Sequence, residues 1–168
     1  MDFSNNIFSG AIPYLHILKN LTHLDLSNNL LTGVISSTPW EQLLNLVFVD
    51  LSNNSLNGNI SLFLFELSML QRLQLADNQF DGQIPKFSNA SSSAIDTLNL
   101  ICNKLYRPFP IWVFELKNLH SHDLSFNSFN GTVQPDKILY PINLEVLALS
   151  YNSLSECRQW KSCPYSHD

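Results

Sequence analysis

The sequence predicts an α/β solenoid of parallel coils about 24 residues long, each with one strand on one side and a short helical or irregular return on the other. Three observations predict it. Asparagine recurs at Asn6, Asn29, Asn54, Asn78, Asn103, Asn127 and Asn152, in steps of 23, 25, 24, 25, 24 and 25 residues. Each closes a phrase in which apolar and polar residues alternate, as in Leu24-Asp-Leu-Ser-Asn-Asn29 and Leu73-Gln-Leu-Ala-Asp-Asn78. Beyond each phrase apolar residues return three apart, as in Leu64, Leu67, Leu70 and Leu73.

Alternation at period two makes each phrase a short strand with one inward face. Leu24 and Leu26 are expected to point into the core and Asp25 and Ser27 outward. After the strand the chain must turn, and the turning backbone needs hydrogen-bond partners. The recurring asparagine supplies them, since its amide both donates and accepts. Two residues on, Phe8, Leu31, Leu56, Phe80, Leu105, Phe129 and Leu154 form a second interior column. Next comes Gly10-Ala-Ile12-Pro13 or its equivalents at Gly33, Gly58, Gly82 and Gly131. There glycine permits a turn, and Ile-Pro gives an extended piece that cannot continue into helix. The apolar residues three apart, Leu15 to Leu24 in one coil and Leu64 to Leu73 in another, then suit a helical or 3₁₀ return.

A period of 20 to 29 residues on Leu-x-x-Leu-x-Leu-x-x-Asn is that of the leucine-rich repeat, a horseshoe with a parallel sheet on its concave face. About seven repeats, six full and one partial, occupy residues 1–155, and 156–168 form a non-repeat tail expected to be disordered. The chain resembles the plant-specific class, with its Leu-x-x-Leu-x-Leu-Ser-x-Asn-x-Leu-x-Gly-x-Ile-Pro consensus. More narrowly it is similar to the ectodomain of plant receptor-like proteins of the wilt-resistance type. Met1-Asp-Phe-Ser-Asn-Asn6, Leu31-Thr-Gly-Val-Ile-Ser-Ser-Thr38, Leu51-Ser-Asn-Asn-Ser-Leu-Asn-Gly58, Phe87-Ser-Asn-Ala-Ser91 and Ser128-Phe-Asn-Gly-Thr132 carry that resemblance. It implies a cell-surface receptor, anchored in the plasma membrane with its repeats outside. It further implies detection of pathogen or developmental signals through a protein or peptide ligand, and signalling through a receptor-kinase co-receptor. Some plant proteins of this consensus instead inhibit secreted cell-wall enzymes without an anchor, and an inactive truncated gene product is a third alternative.

With 29 Leu and 19 Asn and only 14% charged residues, the surface must be largely neutral and polar. A net charge of −5 argues against nucleic acid, which calls for a basic stripe. Met1 falls inside a strand phrase, no secretory leader is recognisable and no apolar run approaches the roughly 20 residues of a membrane span. A truncated ectodomain is therefore expected. The tail is either a frayed end or the remnant of a cap in which Cys157 and Cys163 form a disulfide. Cys102 is expected as a free thiol at an exposed strand position. The fifth coil departs most from the consensus, with Ile101 and Cys102 in its phrase and Arg107-Pro-Phe-Pro110 in place of the glycine turn. Ser36, Ser61 and Gln134 stand where the consensus has proline.

No enzyme, cofactor or metal site is expected. His120-Ser-His122-Asp123 holds suggestive residue types, but neighbouring strand residues alternate faces, and His122 occupies a core slot filled elsewhere by Leu24 or Leu73. Cys157, Cys163 and His167 offer too few ligands for a zinc site. Five sequons, at Asn20, Asn53, Asn59, Asn89 and Asn130, are N-glycan acceptors only in the secretory pathway, and without a leader the chain as written is expected to stay unmodified. Function is expected on the outward strand residues, a ladder with steps of about 4.8 Å. The candidates for a ligand are His23, Asp25, Asn28, Phe48, Asp50, Arg72, Gln74, Asp77, Asn99, Asp123, Phe126 and Tyr151. Exposed aromatics such as Phe48, Phe126 and Tyr151 favour interfaces.

Overall fold

The structure, a computed structural model, describes residues 1–15, 17–86, 90–133 and 143–156. The strands are β1 (Ser9–Gly10), β2 (His23–Asp25), β3 (Leu30–Val34), β4 (Phe48–Asp50), β5 (Ser55–Gly58), β6 (Arg72–Gln74) and β7 (Gln79–Gly82). They continue as β8 (Thr97–Asn99), β9 (Lys104–Pro108), β10 (Ser121–Asp123), β11 (Ser128–Val133), β12 (Val146–Ala148) and β13 (Ser153–Glu156). Even-numbered strands form a six-stranded parallel sheet in the order β12-β10-β8-β6-β4-β2. Odd-numbered strands form a second parallel sheet of seven, β1-β3-β5-β7-β9-β11-β13.

That second sheet lies ahead of the Ile-Pro piece expected to be extended: β7 ends at Gly82, before Ile84-Pro85, and in the second coil Ile35–Ser37 is a 3₁₀ turn. Each coil leaves its first strand through a residue with φ between 52° and 56°, from Asn5 to Tyr151, and five coils carry a glycine with φ between 73° and 95° within or at the end of the second. Two left-handed turns wrap the backbone so that both straight segments lie beside the matching segments of neighbouring coils. In the fifth coil Arg107 takes the glycine's place at φ 91°, and β9 still pairs with β7 and β11.

The returns are short, as periodicity expects: 3₁₀ turns at Ile35–Ser37, Trp40–Gln42, Ala90–Ser92 and Ile111–Glu115, and one helix, α1 (Leu62–Glu66). The first coil is the exception. Leu15, Leu18 and Leu21 are linked by turn bonds of 2.8 and 2.9 Å without a described helix, and Leu18 is exposed. The core is continuous. Leu24, Val49, Leu73 and Leu98 are fully buried, as are Leu51, Leu75 and Leu100 in the next column. In the following column Leu31 to Phe129 are buried, but Phe8 is 48% exposed because only one neighbouring coil covers it, and it packs on Phe3 instead.

The asparagine row does more than hold its own turn. Asn78 Nδ2 donates to the carbonyls of Leu75 (3.3 Å) and Ala76 (3.0 Å) in its own coil and of Leu51 (2.9 Å) in the coil before. Its Oδ1 accepts the Leu56 N–H at 3.0 Å, again in the preceding coil. Asn29, Asn54, Asn103, Asn127 and Asn152 repeat the pattern, so each fastens two coils together. Asn6 bonds only within its own coil. A second, unanticipated series lies on the return side, where Asn45, Asn118 and Asn143 donate to Lys19, Ser93 and Lys117 carbonyls at 2.8, 2.9 and 3.2 Å. Its signature was the repeated step of 25 residues, Asn20 to Asn45 and Asn118 to Asn143.

Candidate ligand-binding face

The outward face of the six-stranded sheet carries three rows of side chains, at fixed offsets before each row asparagine. Six residues before it lie His23, Phe48, Arg72, Thr97, Ser121 and Val146, aligned strand to strand. Four before it lie Asp25, Asp50, Gln74, Asn99, Asp123 and Ala148. Immediately before it lie Asn28, Asn53, Asp77, Cys102, Phe126 and Tyr151.

The third row corrects the expectation of a strand. Asn28, Asp77, Phe126 and Tyr151 stand in the left-handed turn just past the strand, where a short polar side chain is the usual occupant. They remain exposed. Cys102 is likewise in the turn, half-buried rather than exposed, and burial pushes its thiol up with help from a hydrogen bond to Asp77. Asn53 Nδ2 donates to Asn28 Oδ1 at 2.7 Å, tying two members together. Phe126 and Tyr151 stack with ring centroids 4.1 Å apart and planes 16° apart.

The middle row is half-structural. Asp25 Oδ1 accepts from the Ser27 N–H at 3.0 Å and its hydroxyl at 2.7 Å, and Ser27 is covered from solvent. Asp123 holds Ser125 in the same way, and Asp2 holds Ser4 on the exposed first coil. Asp50 and Asn99 each accept one backbone N–H two residues on, from Ser52 and Ile101. Partial burial raises the Asp50 carboxyl above its ordinary range; the Ser52 bonds oppose this, and the neighbouring Asp25 adds to it. Hydrogen bonds from Ser4 hold Asp2 below that range.

In the first row, His23 and Phe48 stack at 6.0 Å with planes 28° apart. Val47, Gln71 and Arg72 join them around a shallow depression of about 290 Å³. Val146 and Ala148 were overlooked, although the offset from Asn152 marks both. His122 lies inward, fully buried, with Nδ1 at 3.3 Å from the Leu98 carbonyl and Nε2 without a partner. It fills the core slot expected of it, on the opposite side of the strand from Asp123. Among the described residues no group of three potential ligands could hold a metal. Cys157, Cys163, His167 and Asn89 lie outside the described residues, while Asn20, Asn53, Asn59 and Asn130 are exposed.

The family model described as Leucine Rich Repeat matches residues 20–41. Receptor-like protein 35 of Arabidopsis thaliana is 33% identical over 162 residues, covering 93% of this chain and 17% of the relative. Receptor-like protein 34 of the same plant is 36% identical over 157 residues, with 93% and 16% covered. The chain belongs to the plant leucine-rich-repeat receptor-like proteins. It spans 15 to 21% of the length of the first such relatives. Among solved structures this receptor-like chain is similar to the Arabidopsis receptor kinase HAESA in complex with the peptide hormone IDA and the co-receptor SERK1. That match has 32% identity and a TM-score of 0.83, covering 96% of this chain and 28% of that one. The complex PEPR1-AtPEP1 matches at 29% identity and a TM-score of 0.79, over 89% and 21% of the two chains. Among the described residues no helix is long and apolar enough to cross a membrane.

Proposed function

We propose that the outward face of the six-stranded sheet is a recognition surface for an extended peptide, within a receptor-like protein displayed on the extracellular side of the plasma membrane. The observation that carries this reading is the continuity of the three rows: side chains in register over six coils, reachable from solvent, with an aromatic pair at one end and Arg72 nearer the other. An extended chain lying across parallel strands meets a new side chain at each step of about 4.8 Å. The complex of HAESA with a peptide hormone supports the same use of this fold. The module contributes binding and no bond-making step, and a receptor-kinase co-receptor relays the event. The signal it reports is a defence signal, as the resemblance to wilt-resistance receptors implies.

Selection of random twelve-residue peptides on the full chain tests the reading. Binders should lose most of their affinity to a variant combining Asp123→Asn, Phe126→Ala and Tyr151→Ala, and keep it with Leu44→Ser and Met69→Ser on the return side. Binders that respond only to the return-side changes would place recognition elsewhere.

A further inference from the structure

The depression of about 290 Å³ beside Phe48 has a chemically mixed lining. His23 and Phe48, register partners on β2 and β4, form an aromatic plate on one side. Val47, Gln71 and Arg72 complete its lining, bringing an aliphatic, an amide and a guanidinium side chain. Arg72 faces Phe48 on one neighbouring strand and Thr97 on the other, neither of them acidic. Among the described residues its side chain forms no ion pair or hydrogen bond. Of the nearby carboxylates, Asp50 accepts from the Ser52 N–H and Asp25 from Ser27, each through Oδ1, and neither pairs with Arg72.

A guanidinium is completed best by a carboxylate, which it binds with two parallel N–H···O bonds. We propose that this depression takes an acidic side chain within an extended peptide, with an apolar neighbour in that peptide lying on the His23–Phe48 plate. The proposal rests on the peptide-recognition reading and deepens it. Size favours one or two residues, since whole small-molecule sites enclose about 300–1,000 Å³. Charge favours a single carboxylate, because Asp2, Asp25 and Asp50 run alongside and would repel a polyanion. Position favours an internal residue over a chain end, for the sheet continues past the depression on both sides, with Asp2 beside β2 and with β8, β10 and β12 beyond β6.

The test is a titration of the full chain followed by NMR at the Val47 methyls and the Arg72 Nε–H. The probes are acetyl-Gly-Phe-Glu-Gly-amide, its glutamine counterpart, and acetyl-Gly-Gly-Phe with a free terminal carboxylate. The glutamate probe should shift both signals saturably and bind at least ten-fold tighter than the glutamine probe. Arg72→Gln should abolish that difference and Arg72→Lys should keep part of it. Equal response to the glutamate and glutamine probes, tighter binding of the terminal carboxylate, or no shift at either signal would each overturn the assignment. Shifts confined to Phe126 and Tyr151 would overturn it too while leaving peptide recognition on this face intact, which the twelve-residue binders decide separately.

Discussion

Asn78 serves three carbonyls and one N–H from two coils with a single side chain that is only 8% exposed. Asn78→Ala strands those groups away from water, a loss of about 1–3 kcal/mol. Asn6→Ala should cost less than about 1 kcal/mol, because Asn6 is exposed and bonds only its own coil. Urea denaturation of the two variants measures the contrast. His122 gives a second prediction at this scale. Burial lowers its pKa to about 4 from an ordinary value of 6.5, so between those values the unfolded chain holds the extra proton and the folded one does not. Its contribution is complete above pH 6.5 and is lost as pH falls towards 4, a drop of about 3 kcal/mol. His122→Leu, which matches Leu98 in the same column, should flatten this part of the pH–stability curve.

The turns decide how strands become sheets. Gly82 has φ 78°, and a Cβ there would meet the Asn59 amide, so Gly82→Ala combines backbone strain with a clash and should cost about 1–3 kcal/mol. Arg107→Gly runs the other way. It relieves a left-handed arginine and should stabilise by up to about 1 kcal/mol, offset in part by loss of the guanidinium's position over Tyr106. Thermal melts of both variants check the opposite signs. Alternation in the sequence placed Leu24 and Leu26 inside and Asp25 outside, since strand geometry alone governs those positions. It did not show that Ser27 would be covered, because the hydrogen bond that Ser27 donates to Asp25 is a local contact that alternation does not encode. The second sheet stayed hidden for a different reason. Most of its strands carry a single buried apolar side chain, too few to mark a strand, and their partners lie about two dozen residues away, brought close only by the left-handed turns. The fixed offsets made most of the face legible, but the depression beside Phe48 depends on lateral packing that no single coil encodes.

At the scale of the molecule each coil touches only its neighbours, so stability is a sum of coil and interface contributions. Leu98 is fully buried in β8, midway along the six-stranded sheet, whereas Leu149 in the last described coil is half-buried. Leu98→Ala should therefore cost about 2–5 kcal/mol and Leu149→Ala clearly less. The two changes should also differ in reach. Removing Leu98 loosens the packing against Leu73 on one side and His122 on the other, its register partners in β6 and β10. Six asparagines fasten successive coils, so a coil that opens takes with it the partners of N–H and carbonyl groups in the coil before it. Hydrogen exchange should then accelerate in β6, β8 and β10 together in the Leu98 variant, and only in β12 and β13 in the Leu149 variant. Acceleration restricted to β8 alone would mean that the coils open independently, and that the asparagine rows hold turns without coupling them.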